Sequence, residues 1–474
     1  MDSDKNELGT APIGSLLFRL AVPTVVAQVI NMLYNIVDRI YLGHIPGEGS
    51  LALTGVGVCL PIILVVSAFA SLVSSGGAPR ASIAMGRGDN DEGERILAGC
   101  FTLLILVSLV LTSVLLLWNR PMLLAFGASD NTIGYASSYM SIYACGTICV
   151  QLTLGLNAFI TAQGKTRISM LTVLIGAVLN IILDPIFIFL FGMGVKGAAL
   201  ATILSQGVSA LWCVFFLSGK KTILKLRVKN MGVSPSVVLP CIALGTSSFI
   251  MQSTESLISV CFNSSLLKYG GDIAVGAMTI CTSVMQMGML PLQGISQGAQ
   301  PISSYNYGAG NVDRVKKCFK CLLLTCVSFS SFLWLMVQLF PSFFARIFSP
   351  DPSLIGYASS ALRIYMGSTI LFGIQIACQM TFVSIGSALS SVTVAVVRKI
   401  VLLIPLIYIV PLFFSNKAIG VFTAEPIADF ISVIFTIVLF SFRFKASLRK
   451  LESKSIVPLS FQPFHGILYL WTNC

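Results

Sequence analysis

The hexapeptide IGYASS occupies Ile133–Ser138 and recurs at Ile355–Ser360. The second copy lies 222 residues after the first, Tyr135 to Tyr357, and the same spacing carries Ile142-Tyr143 onto Ile364-Tyr365, Pro79 onto Pro301, Gly86 onto Gly308, Gly88 onto Gly310 and Gly164 onto Gly386. A register held over so much chain marks the duplication of one unit. Each copy has room for about six apolar stretches of ~20 residues, the length an α-helix needs to cross ~30 Å of hydrocarbon. An even number of crossings returns each copy to the side it entered from, so the copies relate by an axis along the membrane normal. The expected fold is an all-α polytopic membrane protein of about twelve transmembrane helices. It has two six-helix lobes, 1–225 and 226–450, and a C-terminal tail, 451–474.

Composition excludes a water-soluble alternative. Of 474 residues, 55% are hydrophobic and only 10% charged, with a mean hydropathy of +0.90, whereas soluble domains are roughly one quarter charged. Runs such as Leu103–Leu117 and Leu402–Phe414 do not alternate polar and apolar residues, which argues against a membrane β-barrel. Expected spans run from 14–43 to 418–442, with a short break between 236–267 and 273–299 in the second copy. The start, MDSDKNELGT, lacks a basic n-region, so no cleaved signal peptide is expected.

The net charge of +12 reads as topology rather than nucleic-acid binding. Breaks after even-numbered spans collect bases: Arg80, Arg87 and Arg95; Lys165 and Arg167; Lys220, Lys221, Lys225, Arg227 and Lys229; Arg314, Lys316, Lys317 and Lys320. Breaks after odd-numbered spans hold single charges such as Arg120, Lys196 and Lys268. By the positive-inside rule both termini face the cytoplasm and the chain sits in the cell membrane, with the bilayer as its main partner. Arg398 and Lys399, near the start of the eleventh span, are expected to snorkel to the cytoplasmic interface. The thirteen cysteines read as small packing residues, and the Cys318/Cys321 pair lacks the second pair or histidine of a zinc site.

Acids inside spans are the candidates for chemistry, because a carboxylate in hydrocarbon costs at least ~2.5–3.5 kcal/mol unless an ion, proton or partner compensates it. Asp38, Asp184 and Glu255 stand out. On the first span Gln28, Asn31, Asn35 and Asp38 step by three, four and three along one helical face, with Tyr34 beside them. On the fifth, Asn180 and Asp184 share a face and Pro185 removes a backbone donor just after the acid. Thr202 on the sixth can add a hydroxyl. Two carboxylates, an amide and a hydroxyl suit Na⁺, or a proton shared by crowded acids. The alternative is that Asp38 pairs with neighbouring Arg39, but i,i+1 side chains point apart on a helix, which favours the functional reading. The 222-residue register carries neither Asp38 (onto Val260) nor Glu255 (onto Leu33), so the ion cluster is expected in the first lobe alone. Met251, Met278, Met285, Met287 and Met289 give the second lobe flexible thioethers suited to a permissive pocket.

Three separated runs, SLALTGVGVCLPI from Ser50, LNIILDPIFIF from Leu179 and PLQGISQGAQPISSYNYGAGN from Pro291, resemble the multidrug and toxic compound extrusion (MATE) transporters, over roughly Leu16 to Ser447. NMLYNIVDRIYLGHI from Asn31 is most similar to a branch of bacterial multidrug exporters. The resemblance implies export of varied cationic or aromatic small molecules by antiport with Na⁺ or H⁺. It also implies a first-lobe cation site at Asp38, Asn180, Asp184 and Thr202, with Tyr34 and Asn157 nearby. Glu255 matches the span-seven acid of another branch, whose span-ten Asp is replaced here by a region holding Gln375 and Gln379.

The expected protein is thus a monomeric antiporter, with no cofactor beyond its coupling ion and no nucleic-acid partner. The alternative is a lipid-linked precursor flippase, a fold relative that needs a cationic cavity for pyrophosphate. An intramembrane enzyme is not expected, because His44 and His465 fall in a loop and in the tail and form no catalytic set.

Overall fold

The computed structural model describes residues 3–456, and among them it is helical with short connections and no strand. Most of the predicted tail, including His465, lies outside the described residues.

The first lobe comprises α1 (Ile13–Gly43), α2 (Gly49–Gly86), α3 (Asn90–Leu117), α4 (Ile133–Cys145 and Thr147–Ala162), α5 (Thr166–Leu190) and α6 (Val195–Ser218). The second comprises α7 (235–270), α8 (272–308), α9 (Val312–Leu339), α10 (Pro352–Tyr365 and Thr369–Ser384), α11 (Ala388–Phe413) and α12 (Lys417–Ile456). α4 bends by 57° and α10 by 48°, each just after its IGYASS copy. α7 and α8 form a continuous helical trace of 74 residues, too long for one crossing, which turns at Gly271 (φ 66°). That left-handed conformation is open to glycine at little cost. α12 continues well past the expected end at 442, and Lys316 on α9 reaches Glu452 on this extension at 3.4 Å.

Duplication is visible in the contacts as well as the sequence. A Cβ on Gly86 would fall 2.0 Å from the Tyr305 carbonyl, and one on Gly308 would fall 2.0 Å from the Ile83 carbonyl. Each contact is the image of the other in the 222-residue register, so α2 and α8 cross backbone to backbone about the pseudo-two-fold. A second reciprocal set joins α1 to α8 and α7 to α2: Gly298 abuts Ala21 and Gly294 abuts Val25, as Gly76 abuts Cys241 and Gly245 abuts Leu72. These contacts set the offset between α1 and α7 at 220 (Ala21 to Cys241, Val25 to Gly245). Corrected in this way, Asp38 corresponds to Ile258 and Glu255 to Asn35, so the acids remain unmatched.

The α2–α8 crossing closes the molecule at the end that carries the N-terminal helix Ser3–Thr10. There Asn306 donates to the Leu8 carbonyl at 2.8 Å, and Arg314 donates to the carbonyls of Leu8 at 3.1 Å and Ala11 at 2.8 Å. The interlobe linker is tied to the first lobe at the same end, where Gln163 Oε1 accepts from Thr222, Ile223 and Leu224 and Glu94 pairs with Arg227 at 2.9 Å. Between the lobes lies a cleft of about 1140 Å³, whose lining runs from Thr24 and Gln300 toward Arg39 and Leu53 near the far end of α1 and the start of α2.

Candidate cation and substrate site

The polar stripe of α1 faces this cleft. Gln28, Asn31, Tyr34, Asn35 and Asp38 all line it. Gln28 Nε2 donates across the lobes to Gln297 Oε1 at 3.2 Å, while Asn35 donates to the Asn31 carbonyl one turn back. Asn157, Asn180 and Thr202 line the same wall, and Asp184 sits behind Asn180, fully buried. Asn180 Nδ2 donates to Asp184 Oδ1 at 3.3 Å, joining amide and acid across one turn of α5, which continues beyond Pro185 as a wider helical turn, Ile186–Leu190. The carboxyls of Asp38 and Asp184 stand close enough to interact directly.

Four oxygens here are buried without a hydrogen-bond partner: Asp38 Oδ1, Asp184 Oδ2, Asn180 Oδ1 and Asn157 Oδ1. Buried acceptors are ordinarily satisfied, so such a concentration marks a place built for something that supplies positive charge or a donor. Among the described residues no ion pair reaches either acid, and Arg39 lines the cleft without pairing to Asp38. The Thr202 hydroxyl donates to the Ala198 carbonyl at 3.0 Å, which leaves its oxygen lone pairs to face outward. Tyr139 and Tyr143 stack at 6.3 Å and complete this wall. They were not among the sequence candidates, although their four-residue spacing just after the repeated motif puts both on one face.

The second lobe departs from expectation. Arg398 and Lys399 do not snorkel; they are buried, at 6% and 5% exposure, within the π-helical segment Val397–Leu403 of α11. Lys399 Nζ binds Glu255 Oε1 at 2.7 Å, and Arg398 Nε donates to Asp429 Oδ1 at 2.9 Å, with Glu425 3.7 Å from Nη2. The Ser368 hydroxyl donates to Asp429 Oδ2 at 3.0 Å, and Phe372 stacks on the guanidinium at 4.5 Å. The physical reason is charge balance: three acids on α7 and α12 provide partners inside the lobe, which removes the drive to reach the interface. Glu255, whose side chain is 55% exposed, therefore serves as an ion-pair partner rather than as an uncompensated acid.

Glu425 and Asp429 were absent from the sequence candidates. The signal was present, because they repeat the i,i+4 spacing of Asn180 and Asp184, and Pro426 follows Glu425 as Pro185 follows Asp184. Met285 packs against the second-lobe core with Met278 and does not line the cleft; the thioethers that do are Met251, Met289 and Met380. Gln375 and Gln379 also line it, each with a buried, unpartnered Oε1. Cys318 accepts from Ser303, and no cluster of three or more His, Cys, Asp or Glu residues suited to a metal occurs among the described residues.

Two six-helix lobes facing each other across a polar cleft define a two-lobe membrane transporter. The chain belongs to the MatE family, whose pattern it matches twice, over residues 23–186 and 247–409, once in each lobe. It is similar to the multidrug export protein MepA of Staphylococcus haemolyticus, 24% identical over 419 residues covering 88% of this chain and 92% of that one. MepA of Staphylococcus aureus strain N315 is 22% identical over 405 residues, covering 85% and 89%. Among solved structures, a multidrug resistance MATE family transporter in an outward-facing conformation superposes with a TM-score of 0.86 at 23% identity, covering 94% of this chain and 98% of that one. A MOP superfamily transporter from Pyrococcus furiosus, noted for the reverse polarity of its binding pocket, superposes with a TM-score of 0.87 at 22% identity and the same coverage.

Proposed function

We propose that this protein is a secondary active efflux transporter that exports cationic or aromatic compounds by antiport with Na⁺ or H⁺. The observation that carries this reading is the set of unpartnered oxygens around Asp38 and Asp184, beside a cleft shared by both lobes. An uncompensated pair of carboxyls has a high affinity for cation in the dry, closed state and a lower one where water solvates it, so ion binding biases the equilibrium between states. Hard oxygens from two carboxyls, an amide and a hydroxyl suit Na⁺, and a shared proton satisfies the same pair.

The conformation fits export. If the base-rich end that carries the helix Ser3–Thr10 and the end of α12 faces the cytoplasm of a plasma membrane, the cleft is closed on that side and directed outward. Cation entry from outside would then favour return of the lobes to the inward-facing state. The cleft's amides, Tyr139, Tyr143 and three methionines offer aromatic and flexible contacts for varied cargo. A lipid-linked pyrophosphate is less well served, because the bases on the cleft lining are Arg39 and Arg398, and Arg398 is already committed to Asp429 and Glu425.

The test is uptake and efflux of a fluorescent cationic dye in proteoliposomes, under an imposed Na⁺ gradient and, separately, an imposed pH gradient. One of these gradients should drive transport in the wild type. Asp38→Asn and Asp184→Asn should each lower gradient-driven transport at least tenfold while the protein still inserts. Undiminished transport in both variants would remove the first-lobe acids from the coupling mechanism.

A further inference from the structure

The second lobe holds a charge imbalance that the coupling site does not use. Five ionisable groups from three helices meet in it: Glu255 on α7, Arg398 and Lys399 on α11, and Glu425 and Asp429 on α12. They separate into two sets. Lys399 and Glu255 form a pair at 2.7 Å that cancels. The remaining set has one guanidinium and two carboxyls, both nearly fully buried at 3% exposure.

Those two carboxyls are held differently. Asp429 takes the Arg398 Nε–H at 2.9 Å on one oxygen and the Ser368 hydroxyl at 3.0 Å on the other, which is how an ionised carboxylate is satisfied. Glu425 Oε1 stands 3.7 Å from Arg398 Nη2, beyond hydrogen-bond reach. With both ionised, the buried set would carry one excess negative charge, and such a charge in a low-dielectric interior neutralises instead.

The pseudo-symmetry places a neutral residue at the equivalent position of the first lobe. Gly197 at the start of α6 abuts the Phe187 backbone, and Gly420 at the start of α12 abuts the Pro411 backbone in the equivalent way. That offset of 223 places Glu425 opposite Thr202 and Asp429 opposite Gln206. The first lobe thus presents a neutral hydroxyl where the second presents Glu425.

We propose that the second lobe binds a proton at Glu425, which makes this glutamic acid a titrating site separate from Asp38 and Asp184. The bond concerned is the O–H of one Glu425 oxygen, and on release the proton passes to water in the cleft, which Arg398 lines. The charged and titratable groups around Glu425 are Glu255 from α7, Tyr365 from α10, Arg398 and Lys399 from α11, and Asp429 on its own helix. The inference does not depend on the first-lobe coupling assignment.

Infrared difference spectroscopy of the full chain in lipid, between acidic and alkaline buffer, tests it. The wild type should show a protonated-carboxyl carbonyl band with one component that vanishes in Glu425→Gln and persists in an Asp38→Asn, Asp184→Asn double variant. A spectrum unchanged by Glu425→Gln would overturn the proposal. Loss of the component on adding Na⁺ at constant pH would assign the site to a metal cation and overturn it equally. Glutamine reproduces a neutral carboxyl, so Glu425→Gln should retain a monodisperse fold, and collapse of that variant would count against the protonated state. Failure of the dye-transport assay in the first-lobe variants leaves this spectroscopic result untouched.

Discussion

The two lobes share a backbone plan and solve the problem of buried charge in opposite ways. In the first, Asp38 and Asp184 lie together with unpartnered oxygens and no base. In the second, Arg398 and Lys399 are supplied from α11; they bind Asp429 and Glu255, while Glu425 stands 3.7 Å from Arg398. A duplicated scaffold therefore does not imply duplicated chemistry. One half leaves both of its acids without a side-chain base, which suits an exchangeable cation, and the other binds two of its three acids to bases, which leaves Glu425 as the site of one excess charge.

The same substitution should consequently have opposite effects in the two halves. Asp429→Asn removes the bound partner of a buried guanidinium, and breaking a buried pair from one side costs about 3–5 kcal/mol. The expected result is a large loss of thermal stability in detergent, seen as a marked drop in the melting midpoint. Asp184→Asn removes one of two crowded carboxyls, so stability should rise by on the order of 1 kcal/mol while coupled transport is lost, the usual exchange of stability for function. Equal losses of stability in the two variants would erase the distinction between the lobes.

An intermediate effect is expected where the lobes are alike. Gly86→Ala and Gly308→Ala each drive a methyl group to 2.0 Å from the opposing carbonyl oxygen, so the α2–α8 crossing must open in either case. Overpacking of this kind costs about 1–3 kcal/mol. Both variants should lose similar amounts of stability and shift the transporter away from the state closed at the N-terminal end. Thermal melts and thiol-probe accessibility of residues introduced near Thr24 provide the measurement. A severe effect in one variant and none in the other would show that the crossing is not reciprocal.

The sequence revealed the duplicated frame because prolines, glycines and IGYASS sit at positions where backbone geometry restricts the choice of residue. Gly88 and Gly310 have φ of 82° and 76°, and Gly86 and Gly308 have no room for a side chain. The α1 stripe was legible because helical periodicity puts Gln28, Asn31, Asn35 and Asp38 on one face whatever surrounds them. Arg398 and Lys399 were misread because their partners are distant in sequence, Glu425 and Asp429 about thirty residues later for Arg398 and Glu255 far earlier for Lys399, and no local pattern shows those contacts. The offset itself drifts from 220 at α7 to 223 at α12, enough to hide the equivalence of Thr202 and Glu425 from a fixed register. Met285 failed for a related reason: a thioether on a long helix packs inward or lines a cleft according to tertiary context.

The smallest effect separates buried charge from surface charge within the second lobe. Lys316 pairs with Glu452 at 3.4 Å, with both side chains about half exposed. Such a pair is screened by salt and pays the entropy of ordering two long side chains, so it contributes about 0–1 kcal/mol. Lys316→Ala should leave the melting midpoint nearly unchanged, and any loss should disappear at high salt. The Arg398–Asp429 pair lies in the same lobe and also joins a base to a carboxylate, but burial shields it from solvent, so the Asp429→Asn deficit should persist at high salt. A salt-sensitive deficit in Asp429→Asn would mean that water reaches Arg398. The second lobe would then resemble the first in holding its charges within reach of exchange.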